Sequence, residues 1–405
     1  MSSASMKSMK SKKNKLTLCG DAEIPCDANL GCDYITVVKF SPDGRHLAVG
    51  DENDVVRIFS VEGGPTAAPV LLQTLAPPSE DYILSLAWSP DGQYLAVGDD
   101  LFYLTVYRRD DPNWGSATLL VHETPLPGCS QWVTPTATRT EISSTSDAGC
   151  FRLHSLQFSP DGEMLAVGAG GKDSRCKGLP DDAAVCTESK NVVFVYAVSS
   201  WMVVHTLNPS ASDDYVTGVA WSPDGAVLVA VDDDNALTVW QTSTWAQSAS
   251  VAACSGNCEN VAFAPNGAYV AIGGGHGHFT VHRTSDWQQT ADIQVTNYDW
   301  MSGGGVKGID ISPDSRTVLV GSDTGRPDYA CLSEATCSTG GEYSDGGTYS
   351  MVAEFEVSAG GVPQGWRSKI EGADRDYNTV AYHPGGSYFA AGNDNGVVYL
   401  FCSGQ

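Results

Sequence analysis

FSPDGRHLAVG, Phe40 to Gly50, decides the fold, because the chain writes variants of it seven times. The other copies are WSPDGQYLAVG from Trp88, FSPDGEMLAVG from Phe158, WSPDGAVLVAV from Trp221, FAPNGAYVAIG from Phe263, ISPDSRTVLVG from Ile311 and YHPGGSYFAAG from Tyr382. Each has an aromatic or aliphatic residue two places before a proline, then a polar or glycine turn, then an alternating apolar run. Proline presets φ for the turn, Asp-Gly and Asn-Gly accept positive φ, and the apolar flanks fit a pleated buried surface. The pattern therefore predicts strand, tight turn, strand. Third strands follow at Val55, Leu104, Val192, Leu237, Phe279 and Val397, and Trp201, Trp245 and Trp287 announce a fourth.

Four antiparallel strands in each of seven consecutive units predict an all-β, seven-bladed β-propeller. A sheet this short cannot bury both of its faces alone, whereas blades stacked in a closed ring cover one another. From about Leu16 to Gln405 the units resemble the WD-repeat (WD40) family. That resemblance implies a protein-interaction scaffold, which is an analogy of fold rather than of site. At the family's Trp-Asp position the chain reads Trp240-Gln241, Phe59-Ser60, Tyr107-Arg108, Tyr196-Ala197, His282-Arg283 and Phe401-Cys402, and the Gly-His pair is absent. A different polar network is therefore expected to tie the blades together.

Two domains are expected, a Lys-rich tail over residues 1–15 and the propeller over 16–405. The tail, MSSASMKSMKSKKNK, carries five lysines and no acid, a composition that predicts disorder. It lacks the apolar core of a secretory signal. The last unit ends at its third strand, so Leu16 to Cys19 is expected to supply the missing outer strand and lock the ring. Cys19 and Cys402 would then lie on adjacent strands.

The chain has 405 residues, 42% of them hydrophobic, and 43 Gly, which suits one large β domain. Its net charge of −25 argues against duplex nucleic acid as a partner, since phosphate binding needs cations. No apolar run approaches the roughly 20 residues that span a bilayer. Without the five tail lysines, 18 basic residues face 48 acidic ones.

The remaining ten cysteines fall in close pairs outside the expected strands: Cys26 with Cys32, Cys129 with Cys150, Cys176 with Cys186, Cys254 with Cys258, and Cys331 with Cys337. Local disulfides are the favoured reading and imply an oxidising, secreted or luminal compartment. Reduced thiols in the cytoplasm and a zinc site are the alternatives, the latter lacking Cys-x-x-Cys spacing.

Proline-to-proline spacing runs from 42 to 71 residues, with insertions at about 124–151, 170–190 and 322–350. In an antiparallel meander, the connection before strand one and that between strands two and three emerge on one face. The insertions and the local cysteine pairs therefore share a face, opposite the Ser-Pro-Asp-Gly turns. On that face lie Asp33-Tyr34, Asp81-Tyr82, Asp214-Tyr215 and Asp376-Tyr377, with Tyr298-Asp299-Trp300 in the sixth unit. Tyr34, Tyr82 and Tyr215 stand eight residues before their turn prolines, and Tyr377 is one place out of step. Acidic turns Asp51 to Asp54, Asp99-Asp100, Asp232 to Asn235 and Asn393 to Asn395 follow the second strands. Turn chemistry explains each position singly, whereas the collective pattern predicts an acidic, aromatic collar suited to a basic segment of a partner.

Nucleophile elbows, phosphate loops and paired-His metal helices are missing. His276-Gly277-His278 is a weak metal candidate, and the acidic loop Asp232 to Asn235 a weak calcium one. The expected function is a binding platform without chemistry or cofactor of its own, its partners other proteins. The alternative is an extracellular propeller hydrolase or oxidoreductase with its site at the channel mouth.

Overall fold

The Ser-Pro-Asp-Gly signature folds as the same hydrogen-bonded turn in unit after unit. In the computed structural model of the chain, Gly44 N donates to Ser41 O at 2.9 Å and Ser41 Oγ donates to Asp43 Oδ1 at 2.6 Å. The Ser–Asp contact recurs at 2.5 to 2.7 Å at Ser89, Ser159, Ser222 and Ser312. The glycine sits at positive φ, 71° at Gly44, a region that costs residues with a Cβ. Residues 14–15, 17–25, 34–79, 81–123, 152–170, 191–209, 215–254, 256–295, 305–325, 349–373 and 376–403 are described by the structure.

Seven antiparallel sheets result, each an inner strand followed outward by three others. The inner strands of blades 1 to 7 are Ile35–Phe40, Ile83–Trp88, Arg152–Phe158, Val216–Trp221, Cys258–Phe263, Val306–Ile311 and Tyr377–Tyr382. Each packs on the next, and that of blade 7 packs on blade 1, so the ring closes. Blade 6 takes Tyr349–Val357 and Pro363–Ala373 as its outer strands, which no turn motif marks in the sequence.

Between blades lies a dry core. Val37, Ile58 and Leu75 of blade 1 meet Ile83, Leu86 and Val97 of blade 2, and the same occurs around the ring. The glycine closing six of the seven apolar runs has a reason in this packing: a Cβ on Gly50 would fall 2.6 Å from Ile83 of the next blade. Tryptophans open the fourth strands at left-handed φ of 55° to 59°, at Trp114, Trp201, Trp245 and Trp287. Each meets edge-on the aromatic that ends its own or the preceding blade's inner strand: Trp88, Phe158, Trp221 and Phe263. Aromatic contact offsets backbone strain there.

The network that stands in for the missing dipeptides runs between neighbouring blades, in six junctions between inner strands and in one from a second strand to a turn. Trp88 Nε1 donates to Lys39 O at 3.0 Å, Ser85 Oγ to Leu153 O at 2.7 Å, and Trp221 N to Gln157 Oε1 at 2.6 Å. Thr217 Oγ1 donates to Cys258 O at 2.7 Å, and Tyr269 OH to Ser315 O at 3.1 Å. Tyr382 N donates to Asp310 Oδ2 at 2.7 Å, and Val38 N to Thr379 Oγ1 at 3.1 Å. All seven junctions carry a bridge.

Closure is as expected in kind and longer in extent. Thr17–Pro25 pairs antiparallel with the third strand of blade 7, Val397–Cys402, through an irregularity between Leu18 and Glu23. The Gly20-Asp21-Ala22 stretch breaks the apolar alternation, which is why the sequence shows only its first part. Cys19 and Cys402 are joined, with Cα atoms 5.2 Å apart, as are Cys254 and Cys258. Cys26, Cys32, Cys129, Cys150, Cys176, Cys186, Cys331 and Cys337 lie outside the described residues. Asn14–Lys15 adds a short parallel strand to the outer edge of blade 6. No helix among the described residues is long and apolar enough to cross a membrane.

Deleting residues 1–25 should lower the denaturant midpoint sharply, while deleting 1–13 should leave it in place. Cys402→Ser alone should cost up to about 5 kcal/mol, because the disulfide closes most of the chain into one loop. Equal midpoints for the two truncations would refute this closure.

Candidate functional site

Every inner strand begins with the same irregularity. Ile35 pairs with Asp51 and Val37 with Gly50, so that Thr36 is a bulge residue outside the ladder. The shift recurs in all seven blades and skips Leu84, His154, Thr217, Glu259, Lys307 and Asn378. A bulge re-aims its side chain. These seven residues all line the central channel, a cavity of about 800 Å³, and form one ring near its mouth.

Two residues before the bulges of blades 1, 2, 4 and 7, a carbonyl accepts from the residue just past the second strand, which ties the two connections of that face together. The pairs are Glu52 N to Tyr34 O at 3.2 Å, Asp100 N to Tyr82 O at 3.1 Å, Asp233 N to Tyr215 O at 3.0 Å and Asp394 N to Asp376 O at 3.1 Å. Tyr34, Tyr82 and Tyr215 therefore occupy one structural position, with Asp376 as its counterpart in blade 7. Tyr377 does not join them. It takes the buried place that Ile35, Ile83 and Val216 hold elsewhere, is 6% exposed, and meets Tyr399 at 6.3 Å. Tyr82 is 39% exposed. Asp81 accepts from Tyr82 N at 2.7 Å. Asp33, Asp214, Tyr298, Asp299 and Trp300 lie outside the described residues.

The first residues of the acidic turns point inward. Asp51, Asp99, Asp232 and Asn393 are buried and hold their own turns. Asp99 Oδ1 accepts from Leu101 N and Tyr103 N, Asp232 Oδ1 from Ala236 N, and Asn393 Oδ1 from Asn395 N and Val397 N. Asp51 also pairs with buried Arg57. For these four, turn chemistry is the explanation.

Charge at the mouth comes also from residues that the collar pattern omits, Lys307, Arg152, Asp323 and Glu259. Lys307 Nζ lies 2.8 Å from Asp323 Oδ2, and Arg152 Nε lies 2.7 Å from Asp100 Oδ1 across the junction of blades 2 and 3. Burial pushes the Glu259 carboxyl up to about 7; Lys307 pulls it down, and Asp323 and Asp233 raise it further. Burial would lower Lys307, but Asp323, Tyr34 and Glu259 hold it above the usual lysine range. Burial, followed by Arg152, brings His154 down to about 4, and its ring meets Tyr215 edge-on at 5.4 Å. Burial also raises the Tyr34 hydroxyl, with Asp376, Asp323 and Glu52 adding to it against Lys307. A charged residue inside an otherwise apolar inner strand was the signal available for Glu259 and Lys307.

His278 Nδ1 lies 2.7 Å from Asp292 Oδ1, and His276 sits at φ 64° against Gly256. Among the described residues no group of three His, Cys, Asp or Glu side chains is placed to hold a metal ion.

Three segments match the family model described as WD domain, G-beta repeat: residues 26–60, 69–101 and 201–241. The last two begin at the outer strand of one blade and end in the next, so that the sequence repeat bridges two blades. Protein hir-1 of Neurospora crassa is 31% identical over 100 residues, 25% of this chain and 10% of that protein. The chain thus spans about a tenth of the length of this curated relative.

Two buried carboxyls work against stability as pH rises from 5 to 8, while His154, neutral in the folded state, acts in the opposite sense between about pH 4 and 6.5. Glu259, and Asp99 that burial likewise raises to about 7, keep protons in the folded state that the unfolded chain gives up near pH 4. Each therefore stabilises below its unfolded value and loses that contribution by pH 7, up to about 3 kcal/mol apiece. Denaturant titrations should show that the stability of Glu259→Gln relative to wild type rises across this range; a pH-independent difference would count against a buried, proton-holding Glu259.

Proposed function

We propose that this chain, a seven-bladed β-propeller carrying WD40 repeats, is a protein-interaction platform whose partner docks on the insertion-bearing mouth of the channel. Propellers of such repeats serve generally as interaction scaffolds. The observation that carries the finer reading is the register: three tyrosines from different blades take one position around the mouth, beside Asp81, Asp376, Asp323 and Asp233. Among the described residues, carboxylates outnumber the mouth cations Lys307 and Arg152, and the whole chain carries −25. A basic, extended segment meets complementary potential there, and the tyrosine rings offer flat contact area and cation–π attraction.

A second reading, a propeller hydrolase, draws on Glu259, which is able to hold a proton near neutrality. It requires a partner carboxylate available to a substrate. Asp323 is engaged by Lys307 and Gly305 N, and Asp310 by Tyr382 N and Ile311 N. The platform reading uses the same residues without that requirement.

Replacing Asp33, Asp81, Asp214 and Asp376 together by Asn should slow association with the natural partner and flatten its salt dependence, because long-range steering is screened by salt. Replacing Tyr34, Tyr82 and Tyr215 by Ala should chiefly speed dissociation, since contact area acts at short range. Affinity capture by wild type and by the four-Asn variant, followed by surface-resonance kinetics on the recovered protein, tests both; identical capture and identical rates would sink the reading.

A further inference from the structure

We propose that the ring of bulge residues at the channel neck is a binding site for one primary alkylammonium group, supplied by a lysine side chain of the docked segment or by a small diamine. The lysine arm rests on the platform reading above; the diamine arm does not. Glu259, Lys307 and Asn378 are the bulge residues of consecutive blades 5, 6 and 7, and Thr36 follows on blade 1. All four line the cavity.

Three features select this ligand. The first is charge. Among the described residues the charged groups facing Glu259 are Lys307, Asp323 and Asp233, and Lys307 is already engaged by Asp323, so that ionised Glu259 and Asp323 share that one cation. An anion is opposed there and a second cation is favoured. Second is an unpaired amide. Asn378 is 9% exposed, and neither its Oδ1 nor its Nδ2 has a hydrogen-bond partner among the described residues. A buried amide in that state costs free energy that a ligand donor to Oδ1 recovers. Third is the direction of the hydroxyls. The single hydroxyl hydrogen of Thr36 is taken by the Ile83 carbonyl of the next blade and that of Thr217 by the Cys258 carbonyl, so each hydroxyl keeps its oxygen lone pairs as acceptors. An ammonium brings three N–H donors to a carboxylate, an amide oxygen and a hydroxyl oxygen. A quaternary ammonium brings none.

Binding then moves one proton. The ammonium favours ionised Glu259, whose proton leaves to solvent as the ligand enters; no covalent bond changes. Lys307 stays charged, His154 stays neutral and Tyr34 stays protonated across pH 6 to 8, so Glu259 governs the linkage. Affinity should rise about tenfold from pH 6 to pH 8, as expected for a carboxyl titrating near 7.

Isothermal titration of the full chain with 1,4-diaminobutane and with N-acetyl-lysine methylamide, at pH 6 and pH 8 and in buffers of different ionisation enthalpy, tests this. Tighter binding at pH 8, with close to one proton released at pH 6 and tetramethylammonium inert, supports the site. Binding of the lysine derivative alone assigns the ligand to a partner side chain, and binding of the diamine alone to a soluble amine. Glu259→Gln should abolish the proton release and weaken binding at pH 8 at least tenfold. Asn378→Leu should weaken binding and leave the proton count unchanged. No binding by wild type at either pH, or binding without proton release, overturns the proposal, and neither result depends on a variant folding. A captured partner whose kinetics respond to the collar aspartates, alongside silent amine titrations, removes this site while leaving the platform.

Discussion

The two apolar faces of each blade are covered only by the blades on either side, and this constraint governs the rest of the molecule. Ile35, Val38 and Leu47 of blade 1 reach burial against Ala390, Val398 and Leu400 of blade 7, residues far along the chain. Until that last contact forms, the first and last blades each leave a face in water. A strand from the start of the chain paired into the final sheet answers the problem by making blade 7 out of both ends. Apolar area is non-directional, however, and leaves the blades able to slide. The hydrogen bonds between neighbouring blades supply direction, since a serine, threonine, tyrosine or tryptophan side chain that donates to a neighbouring carbonyl fixes one blade against the next.

The same meander that buries the strands creates the mouth. In blades 1, 2, 4 and 7 the connections before the first strand and after the second are laced together by one backbone hydrogen bond, which sets their bulges at one height. A bulge residue is released from ladder duty, so its identity is unconstrained by the sheet. Leu84, Thr36, Lys307 and Glu259 occupy equivalent places with very different chemistry. Positional equivalence with chemical variety is what a repeat fold offers for building one asymmetric site.

Turn chemistry made the architecture legible. Proline, aspartate and glycine dictate local φ and ψ, and seven registered copies left a seven-bladed ring as the reading; the closing strand followed from the missing outer strand of the last blade. Blade 6 was harder, since Tyr349–Val357 and Pro363–Ala373 follow an insertion and no turn signature introduces them. Tyrosine spacing from the turn prolines picks out three residues whose carbonyls make the same backbone hydrogen bond. One residue of slip put Tyr377 into the core, because side chains alternate with period two and the neighbouring place faces the opposite way. Glu259 and Lys307 were passed over because a single charge in an apolar strand carries no periodic signal. Their pairing across two blades exists only once the ring is built.

Joining Cys19 to Cys402 has a topological consequence. All but the short ends of the polypeptide lie inside one covalent circle. A single peptide-bond cut anywhere between them, for example in one of the long insertions, opens the circle without dividing the molecule. The blades on either side of the cut remain one covalent object, and every interface around the ring keeps both of its halves within reach. An order of blades is thereby preserved that does not depend on where the backbone is continuous, as in a necklace that keeps its bead sequence when its thread is cut beside a second clasp.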